Sequence, residues 1–417
     1  MKVLIAGSGA REHALAWAFA KDKHTVYCAP GNAGTEDLAV NLRVEPEDPK
    51  ALVAAARELG TDLVLVGPEG PLAAGAIDAL DEAGILAFGP RKKAAALEAS
   101  KAFARAFSER WNVPCARTAR FADKAALARF VDESAGARLV LKKSGLAAGK
   151  GVLESDDRAE LLAFGESVLE SDELLAEEYL VGRELSVFAL CDLSDHLLLP
   201  ACADHKKAGS NDTGPNTGGM GAVCPVPYAD AHTMERIERE IVAPTFRGME
   251  AEGLSYRGVL FFGVMLTSEG PKLLEYNVRF GDPETQSLLP LLETGMGELA
   301  LGVAKGALCS LGPRFSAKTA CGVVVAAPGY PGEYPKALPV DLGEAGTGGE
   351  DAFLFHASTT RGVDGRVLTG GGRCFTAVGL GDDWETARAR AYEIAGKVRF
   401  EGAWFRPDIG RKMHPGR

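Results

Sequence analysis

A short segment near residue 275 carries an acid, an amide and an arginine at alternate positions. Glu275, Asn277 and Arg279 follow Leu273 along a predicted strand, and a Gly-Asp-Pro turn follows at 281–283. Side chains two residues apart on a strand share a face, so we expect these groups to point together, beside Leu273, into what would otherwise be core. A carboxylate and an amide oxygen suit Mg²⁺ that also holds nucleotide phosphates. A polar sheet edge with an ordinary turn is the alternative.

Composition and charge set the outer limits on this chain of 417 residues. Hydrophobic residues make up 46% and charged residues 25%, which is ordinary globular usage with room for roughly two to four domains. The net charge of −11 argues against a nucleic-acid partner, because phosphate backbones require a basic surface. Eight cysteines without a Cys-x-x-Cys pair are typical of thiols in a reducing cytoplasm rather than of disulfides or zinc sites.

We also expect neither a membrane segment nor a signal peptide. No apolar run approaches the length of a membrane span, and Arg11 and Glu12 interrupt the apolar stretch at the N-terminus. The expected location is therefore the cytoplasm.

The first hundred residues alternate between predicted strands and helices. Strands are expected at 3–6, 26–29, 62–66 and 85–88, and helices at 13–20, 50–58 and 72–83. This order predicts a doubly wound parallel sheet, which binds ligands at the carboxyl ends of its strands.

Two glycines, Gly7 and Gly9, follow the first predicted strand. The third glycine of a dinucleotide-binding motif would fall at Glu12, and no acid ends the second strand, so a dinucleotide site is not indicated. We expect instead a turn into a helix N-terminus whose amide groups suit a single phosphate. A tight turn that binds nothing is the alternative.

The second predicted region runs from about 100 to 320. A helix begins at Ser100-Lys101, and a strand at 139–142 ends in Lys142 directly before a Gly- and Ala-rich loop at 144–152. Such a loop can cover phosphates closely, because it has little bulk and offers free amide groups. It is not a Walker A motif, since Gly151 follows Lys150, and its position between two strands indicates a flap. A surface hairpin with solvated lysines is the alternative.

Two further segments of this region allow more than one interpretation. The acidic run that begins the segment 176–186 is either a solvated face or a hinge whose backbone reads an adenine edge. The segment 204–220 is predicted to be one long loop, which is either disordered or functional. His205 within it has no neighbouring nucleophile motif, so no catalytic triad is indicated.

Several distinctive motifs are spread along essentially the whole chain. They are Gly-Ser-Gly-Ala-Arg-Glu-His at 7–13, Pro-Gly-Asn-Ala-Gly-Thr at 30–35, Val-Gly-Pro-Glu at 66–69, Gly-Leu-Ala-Ala-Gly-Lys-Gly-Val at 145–152, Glu-Glu-Tyr-Leu at 177–180, Asp-His-Lys at 204–206, Thr-Gly-Gly-Met-Gly-Ala at 217–222, Glu-Tyr-Asn-Val-Arg-Phe-Gly-Asp-Pro-Glu-Thr-Gln at 275–286 and Gly-Gly-Arg at 371–373. Together they resemble the phosphoribosylamine–glycine ligase family of the ATP-grasp superfamily.

The resemblance implies an α/β protein with an α+β ATP-grasp core. The expected domains are an N-terminal doubly wound parallel-sheet domain at 1–100, an ATP-grasp domain at 101–320 with a small inserted lid at about 115–187, and a C-terminal α/β cap at 321–417. In the cap the residues predict strands at 320–327 and 374–380 and a helix at about 384–398, but no catalytic constellation. We expect a monomer, because no exposed apolar face for a dimer is identifiable.

The resemblance implies ATP-dependent ligation of glycine to 5-phosphoribosylamine through a glycyl phosphate, giving glycinamide ribonucleotide, ADP and phosphate in de novo purine biosynthesis. Small molecules are then the only expected partners. The alternatives are a carboxylase or formyl-phosphate ligase of the same superfamily and a non-catalytic nucleotide-binding regulator. The N-terminal loops argue against the first alternative, and the intact Lys142, Glu275 and Asn277 argue against the second.

The resemblance also implies individual roles. The metal, Mg²⁺ or Mn²⁺, would bind Glu275 and Asn277. ATP would bind Lys101, Lys142, Gly149, Lys150, Gly151, Glu178, Leu180 and Glu184. Catalysis would involve Lys142, Asp204 and Arg279, with Asp204 meeting the glycine amine and Arg279 an anionic oxygen. Substrates would contact Gly9, Arg11, Asn32, Gly34, Glu69, Asp204, Lys206, Arg279 and Asp282. Lys143, which adds a lysine to the family's usual pattern, should face away from Lys142 on the strand and matter less for activity.

Overall fold

The structure is a computed structural model that describes residues 1–134, 136–147, 151–192, 194–345 and 349–413. Gly149 and Lys150, both predicted to bind ATP, lie outside the described residues. In the described ranges, no helix combines the length and the apolar character that a membrane span requires.

The N-terminal region is a parallel sheet with strand order β3-β2-β1-β4-β5. Its strands are Lys2–Gly7 (β1), Thr25–Pro30 (β2), Val40–Asn41 (β3), Leu63–Val66 (β4) and Ala87–Pro90 (β5). Its helices are Ala10–Lys21 (α1), Pro49–Leu59 (α2), Glu69–Ala74 (α3), Ala76–Glu82 (α4) and Lys92–Ala99 (α5). The predicted helix at 72–83 is interrupted, because Gly75 adopts a left-handed conformation with φ of 96°.

Both faces of this sheet are covered. Val3 and Ile5 of β1 belong to one buried cluster with Phe19 of α1, whereas Leu4 belongs to another with Leu52 of α2. Alternate residues of a strand face opposite sides, so this arrangement confirms the predicted doubly wound parallel sheet.

The lid follows the helix Lys101–Arg110 (α6), which Ser100 caps by accepting a hydrogen bond from the Phe103 N–H. The lid strands are Thr118–Phe121 (β6), Leu139–Lys143 (β7), Val152–Ser155 (β8) and Leu174–Glu178 (β9), and its helices are Lys124–Glu133 (α7) and Arg158–Val168 (α8). The lid has its own small core, which includes Leu127, Leu141 and Leu174. Since β7 and β8 pair antiparallel, the glycine-rich loop joins two strands as predicted.

An antiparallel sheet forms the floor beneath the lid. Its strands are Arg183–Cys191 (β10), His196–Leu198 (β11), Tyr256–Thr267 (β16) and Gly270–Asn277 (β17). The helices of this region are Ala231–Ile237 (α9), Ala243–Ala251 (α10), Glu284–Leu288 (α11) and Met296–Ala304 (α12). Strand β16 also pairs with β5, so the floor is continuous with the N-terminal sheet across the domain boundary predicted at residue 100.

The C-terminal sheet has the order β12-β15-β18-β22-β19. Its strands are Ala203–Asp204 (β12), Gly221–Cys224 (β15), Thr319–Ala326 (β18), Ala352–His356 (β19) and Arg373–Gly381 (β22). Helix Trp384–Lys397 (α13) packs on it and buries Ala387, Ala391 and Ile394. Strands β12 and β15 come from the predicted ATP-grasp range, so this sheet also crosses a predicted boundary.

Two small hairpins lie outside these larger sheets. They are Lys207–Gly209 (β13) with Thr213–Asn216 (β14), and Thr359–Arg361 (β20) with Val367–Thr369 (β21). The prediction that 204–220 is one long loop is therefore wrong, since β13 and β14 lie within it. Lys207 and Asn216 of the first hairpin line a cavity.

Candidate functional site

Two adjoining cavities lie where the N-terminal sheet, the lid, the floor and the C-terminal sheet meet. The inner cavity, of about 460 Å³, is lined by polar residues from every region, including Arg11, Glu69, Glu98, Lys101, Asn277, Arg279, Asp282, Glu284, Tyr330 and Arg373. The hinge cavity, of about 670 Å³, is lined by residues that include Glu178, Tyr179, Leu180, Glu184 and Lys207. Both cavities share Lys142, Glu177, Asp204, Lys206 and Glu275.

The end of β17 brings Glu275 and Asn277 to the inner cavity. Pairing with β16 shifts register between Gly263 and Val264, which leaves Leu274 as an extra residue in β17. This bulge interrupts the simple two-residue alternation, and Arg279 lies beyond the end of the strand. The prediction of one regular face from Leu273 to Arg279 is therefore wrong, although the three polar groups do meet at the cavity.

Arg279 is held in place by acids from the N-terminal region. Its Nη2 donates to Glu98 Oε1 at 2.8 Å and to Asn277 Oδ1 at 3.2 Å, and its Nε lies 3.6 Å from Glu69 Oε2. Glu98 Oε2 also accepts the Val278 N–H at 2.7 Å. Burial raises the pKa of Glu98 to about 7, although Arg279 opposes the shift. Sequence reasoning missed Glu98, which no motif marks.

Lys142 at the end of β7 points into the junction of the two cavities. Its Nζ lies 2.7 Å from Glu177 Oε2 and donates to the Leu274 carbonyl at 3.3 Å. Glu177 also accepts from Arg105 Nε at 2.6 Å. Lys143 Nζ lies 3.8 Å from Asp172, away from this network, so the predicted opposite orientation of the two lysines is confirmed.

The junction also holds Lys206, whose ammonium contacts two acids at once. Lys206 Nζ donates to Glu184 Oε1 at 2.5 Å and to Glu275 Oε1 at 3.2 Å. Chiefly this ammonium, with Lys142 and Lys101, lowers the pKa of Glu275 to about 2, although burial opposes the shift. Glu275 is therefore ionised at every pH near neutrality.

Asp204 presents a free carboxylate oxygen in the buried part of the site. Asp204 Oδ1 is buried, and none of the described residues forms a hydrogen bond with it. Burial, together with the nearby Glu284, raises the pKa of Asp204. Glu284 Oε1 accepts from Ser186 Oγ at 2.8 Å. A buried polar atom without a partner favours a position filled by a ligand.

The C-terminal region contributes two side chains to the inner cavity. Arg373 Nη1 donates to the Gly218 carbonyl at 2.5 Å and to the Asp282 carbonyl at 3.1 Å, and it lies 3.2 Å from Asp282 Oδ1. Tyr330 Oη accepts the Gly218 N–H at 3.0 Å. No catalytic constellation was predicted in the cap, yet it lines the inner cavity with both of these side chains. Arg373 carried a motif signal, whereas Tyr330 carried none.

The N-terminal loops reach the site only in part. Arg11 and Glu69 line the inner cavity. The Gly9 N–H is already taken by Glu12 Oε2 at 2.6 Å, so this amide of the predicted phosphate turn has a partner within the chain.

Asn32 and Gly34 do not line either cavity. Asn32 Nδ2 donates to the Ser8 and His356 carbonyls, both at 2.9 Å, and its Oδ1 accepts the Gly34 N–H at 2.9 Å. A Cβ built on Gly34 would lie 2.3 Å from the His13 ring and 2.6 Å from the His356 ring. Both residues therefore brace the loop that follows β2 against the C-terminal sheet.

Three residues predicted to bind the nucleotide line the hinge cavity. Glu178 is the last residue of β9, Leu180 lies in the link that follows, and Glu184 is the second residue of β10. Gly151, at the described end of the flap, lines the inner cavity. The geometry thus offers one compartment beside a strand-linking hinge and another rich in charged groups, with Lys142, Lys206 and Glu275 between them.

Comparison with known proteins places this geometry in a family. The phosphoribosylglycinamide synthetase models match in three parts: the N domain at residues 1–98, the ATP-grasp (A) domain at 99–285 and the C domain at 320–412. A phosphoribosylamine–glycine ligase of Rhodopirellula baltica is 44% identical over 98% of this chain and 97% of its own length. One of Caldanaerobacter subterraneus is 40% identical over 98% of this chain and 99% of its own length.

Solved structures agree with the sequence comparisons. The crystal structure of a phosphoribosylamine–glycine ligase from Thermotoga maritima is 35% identical, with a TM-score of 0.84, over 98% of this chain and all of that chain. A biotin carboxylase from Campylobacter jejuni, at 15% identity and a TM-score of 0.73, covers 97% of this chain and 92% of its own and shares the fold alone. The chain belongs to the phosphoribosylamine–glycine ligase family, a family of ATP-grasp carbon–nitrogen ligases.

Proposed function

We propose that this chain ligates glycine to 5-phosphoribosylamine with ATP, through a glycyl phosphate, and releases glycinamide ribonucleotide, ADP and phosphate in purine biosynthesis. The observation that carries the proposal is the pair of adjoining cavities that meet at Lys142, Lys206 and Glu275. A nucleotide in the hinge cavity would direct its phosphates to this junction, next to a second compartment large enough for small substrates.

ATP occupies the hinge cavity in this proposal. The backbone near Glu178 and Leu180 holds the adenine, and Glu184 holds the ribose. Lys101 and Lys142 neutralise phosphate charge at the junction, and Gly149, Lys150 and Gly151 are proposed to bind the phosphates as well. Phosphoryl transfer depends mainly on positioning and charge neutralisation, which is what a buried lysine at this junction supplies.

Glu275 and Asn277 fit a divalent cation, Mg²⁺ or Mn²⁺. Both offer hard oxygen ligands, and Glu275 is kept in the ionised form that a metal ligand needs. In the described ranges, no group of three or more His, Cys, Asp or Glu side chains is arranged to hold a metal ion. Such a sparse protein ligand set is typical of an ion held largely by phosphate oxygens. Bound there, the ion would neutralise charge on the phosphates.

The inner cavity takes glycine in this proposal. The free oxygen of Asp204 meets the glycine ammonium, and Arg279, braced by Glu98, meets an anionic oxygen of the carboxylate or of the transferred phosphoryl group. Lys206 contributes a further positive charge. Charge that develops during the transfer is stabilised best by groups that are already oriented, and Glu98 supplies that orientation for Arg279.

The phosphoribosylamine side lies between Arg11, Glu69 and Asp282. Two nitrogens of Arg11 are occupied, because Nε donates to Glu12 Oε1 at 2.5 Å and Nη1 to the Phe280 carbonyl at 3.1 Å. No described residue forms a hydrogen bond with Nη2, which leaves it for the substrate. Gly9, Asn32 and Gly34 support these loops rather than touch the reacting atoms.

The proposal also includes the oligomeric state, the location and the partners of the enzyme. We infer a monomer in the cytoplasm that acts on small molecules and binds neither nucleic acid nor membranes. The net charge of −11 supports the first of these exclusions, because it would repel a phosphate backbone.

Replacing Arg11 tests the assignment of the phosphoribosylamine side. In Arg11→Ala we expect the KM for phosphoribosylamine to rise by roughly tenfold or more, while KM values for ATP and glycine stay near those of the wild type. Steady-state kinetics with each substrate varied in turn measures this. An equal loss for all three substrates would assign Arg11 a structural role, through its bonds to Glu12 and Phe280.

The proposed reaction is tested by ADP release. With phosphoribosylamine and ATP present, ADP should form in proportion to glycine and not with alanine, serine or other amines. ADP release driven by bicarbonate or formate, without glycine, would favour the carboxylase or formyl-phosphate alternative. No stimulated release with any acceptor, despite ATP binding, would favour the non-catalytic regulator.

A further inference from the structure

Lys206 lies between two acids to which the proposed function gives different ligands. Glu184 would hold the nucleotide ribose, and Glu275 would hold the metal, yet in the structure one ammonium donates to both, at 2.5 and 3.2 Å. The three side chains keep between 28% and 33% of their surface exposed and line the hinge cavity. The ion-paired trio is therefore open to an incoming ligand rather than sealed in the core.

The sheet brings the two acids together. Glu184 on β10 pairs with Met265, and Glu275 on β17 pairs with Gly263, on the strand β16 that separates them. Residues two apart on β16 share a face, so both carboxylates rise from the same side of the floor. Gly263 stands between them without a side chain, and a Cβ there would lie only 3.2 Å from Glu275 Cγ. Glycine thus leaves room for the two carboxylates to converge.

Lys206 reaches this point from a fixed backbone. Its carbonyl accepts two hydrogen bonds from Thr217, from the N–H at 2.7 Å and from Oγ1 at 2.8 Å. The flexible four-carbon stem can move the ammonium while the backbone stays in place. Next to it, Lys207 Nζ pairs instead with Glu154 Oε2 at 3.2 Å, so the two adjacent lysines serve different acids.

We propose that Lys206 is the counter-cation of Glu184 and Glu275 in the nucleotide-free protein, where it excludes a free divalent cation from both carboxylates and yields Glu275 only to a metal–nucleotide complex. Two converging carboxylates without the ammonium would attract a divalent cation strongly, because opposite charges a few ångströms apart interact strongly in a partly enclosed site. The phosphates of the nucleotide offer the displaced ammonium a new anionic partner. The inference rests on the proposed role of Glu275 as a metal ligand.

Binding of Mn²⁺ to the full chain, measured by the electron paramagnetic resonance signal of the free ion, tests this proposal without any turnover. Without nucleotide, Lys206→Met and Lys206→Gln should bind Mn²⁺ at least about tenfold more tightly than the wild type. Lys207→Met is the matched control and should behave as the wild type does. The gain in Mn²⁺ affinity should vanish in the double variant that combines Lys206→Met with Glu275→Gln. When ADP is present, the wild type should also bind Mn²⁺.

The outcomes separate the inference from the function on which it rests. Nucleotide-free Mn²⁺ binding that is as tight in the wild type as in both Lys206 variants would overturn the inference. If Glu275→Gln abolishes binding of Mn²⁺ with ADP while Lys206→Met changes nothing, the metal ligand stands and only the inference is overturned. If Glu275→Gln binds Mn²⁺ with ADP as the wild type does, the proposed metal ligand is wrong and the inference falls with it.

Discussion

Replacing Lys142 by methionine is expected to lower kcat by about 100-fold or more while ATP binding weakens much less. The Lys142 ammonium lies at the junction of the two cavities, where a transferred phosphoryl group would spread negative charge over its oxygens. A fixed cation there stabilises the transition state more than the bound ground state. Glu177 would keep its bond to Arg105 at 2.6 Å, so the variant should still fold. Single-turnover rates and nucleotide affinity measure the two effects separately.

Lys143→Met provides the matched control for this prediction. Lys143 occupies the next position on the same strand, but its Nζ lies 3.8 Å from Asp172 and points away from the junction. We expect the kcat of this variant to stay within about threefold of the wild type, since a partly exposed ion pair away from the junction contributes little. If Lys143→Met were as damaging as Lys142→Met, the assignment of the two lysines would be wrong.

Replacing Glu275 by glutamine should also reduce activity by at least about 100-fold, even at saturating Mg²⁺. The substitution removes the charge that would balance the metal and leaves the volume almost unchanged, so no cavity forms. Lys206 would retain its contact with Glu184, and we expect the variant to stay folded. Turnover assays across a range of Mg²⁺ concentrations, with denaturant unfolding alongside, check both statements.

Glu269→Gln is the control on the same hairpin. Glu269 lies in the turn between β16 and β17, is largely exposed, pairs with Lys272 at 3.0 Å and lines neither cavity. The Glu269→Gln substitution should leave turnover unchanged. Near-normal turnover of Glu275→Gln in saturating Mg²⁺ would remove Glu275 from the metal ligand set.

The sequence predicted the fold correctly where the hydrophobic periodicity and the glycine- and proline-containing turns indicate the same elements. The alternation of apolar strands with helices up to residue 100 predicted the parallel sheet, because that order has few packing solutions. Local signals could not show that β16 joins this sheet to the floor, since pairing between Tyr256 and Pro90 spans a long stretch of chain. For the same reason they could not show that β12 and β15 belong to the C-terminal sheet.

The sequence predicted site residues correctly where a motif places their side chains on a single strand. Glu275, Asn277 and Lys142 were found this way, and all three meet at the cavities. Glu98 and Tyr330 were missed, because each reaches the site only through tertiary packing, whereas Glu177 stood in a recognised motif but was given no role. For Asn32 the motif was recognised and a substrate contact was predicted. In the structure both polar side-chain atoms of Asn32 instead form hydrogen bonds that brace the loop. The bulge at Leu274 was invisible, since a β-bulge leaves no reliable sequence signal.

The most direct test of the proposed reaction follows the oxygen atoms of glycine. If ATP phosphorylates the glycine carboxylate and the amine of phosphoribosylamine then displaces phosphate, one carboxylate oxygen leaves with that phosphate. With wild-type enzyme and glycine labelled with ¹⁸O in the carboxylate, mass spectrometry of the released inorganic phosphate should therefore show one labelled oxygen per product formed. Unlabelled phosphate, accompanied by normal formation of glycinamide ribonucleotide, would contradict the glycyl phosphate and with it the proposed mechanism.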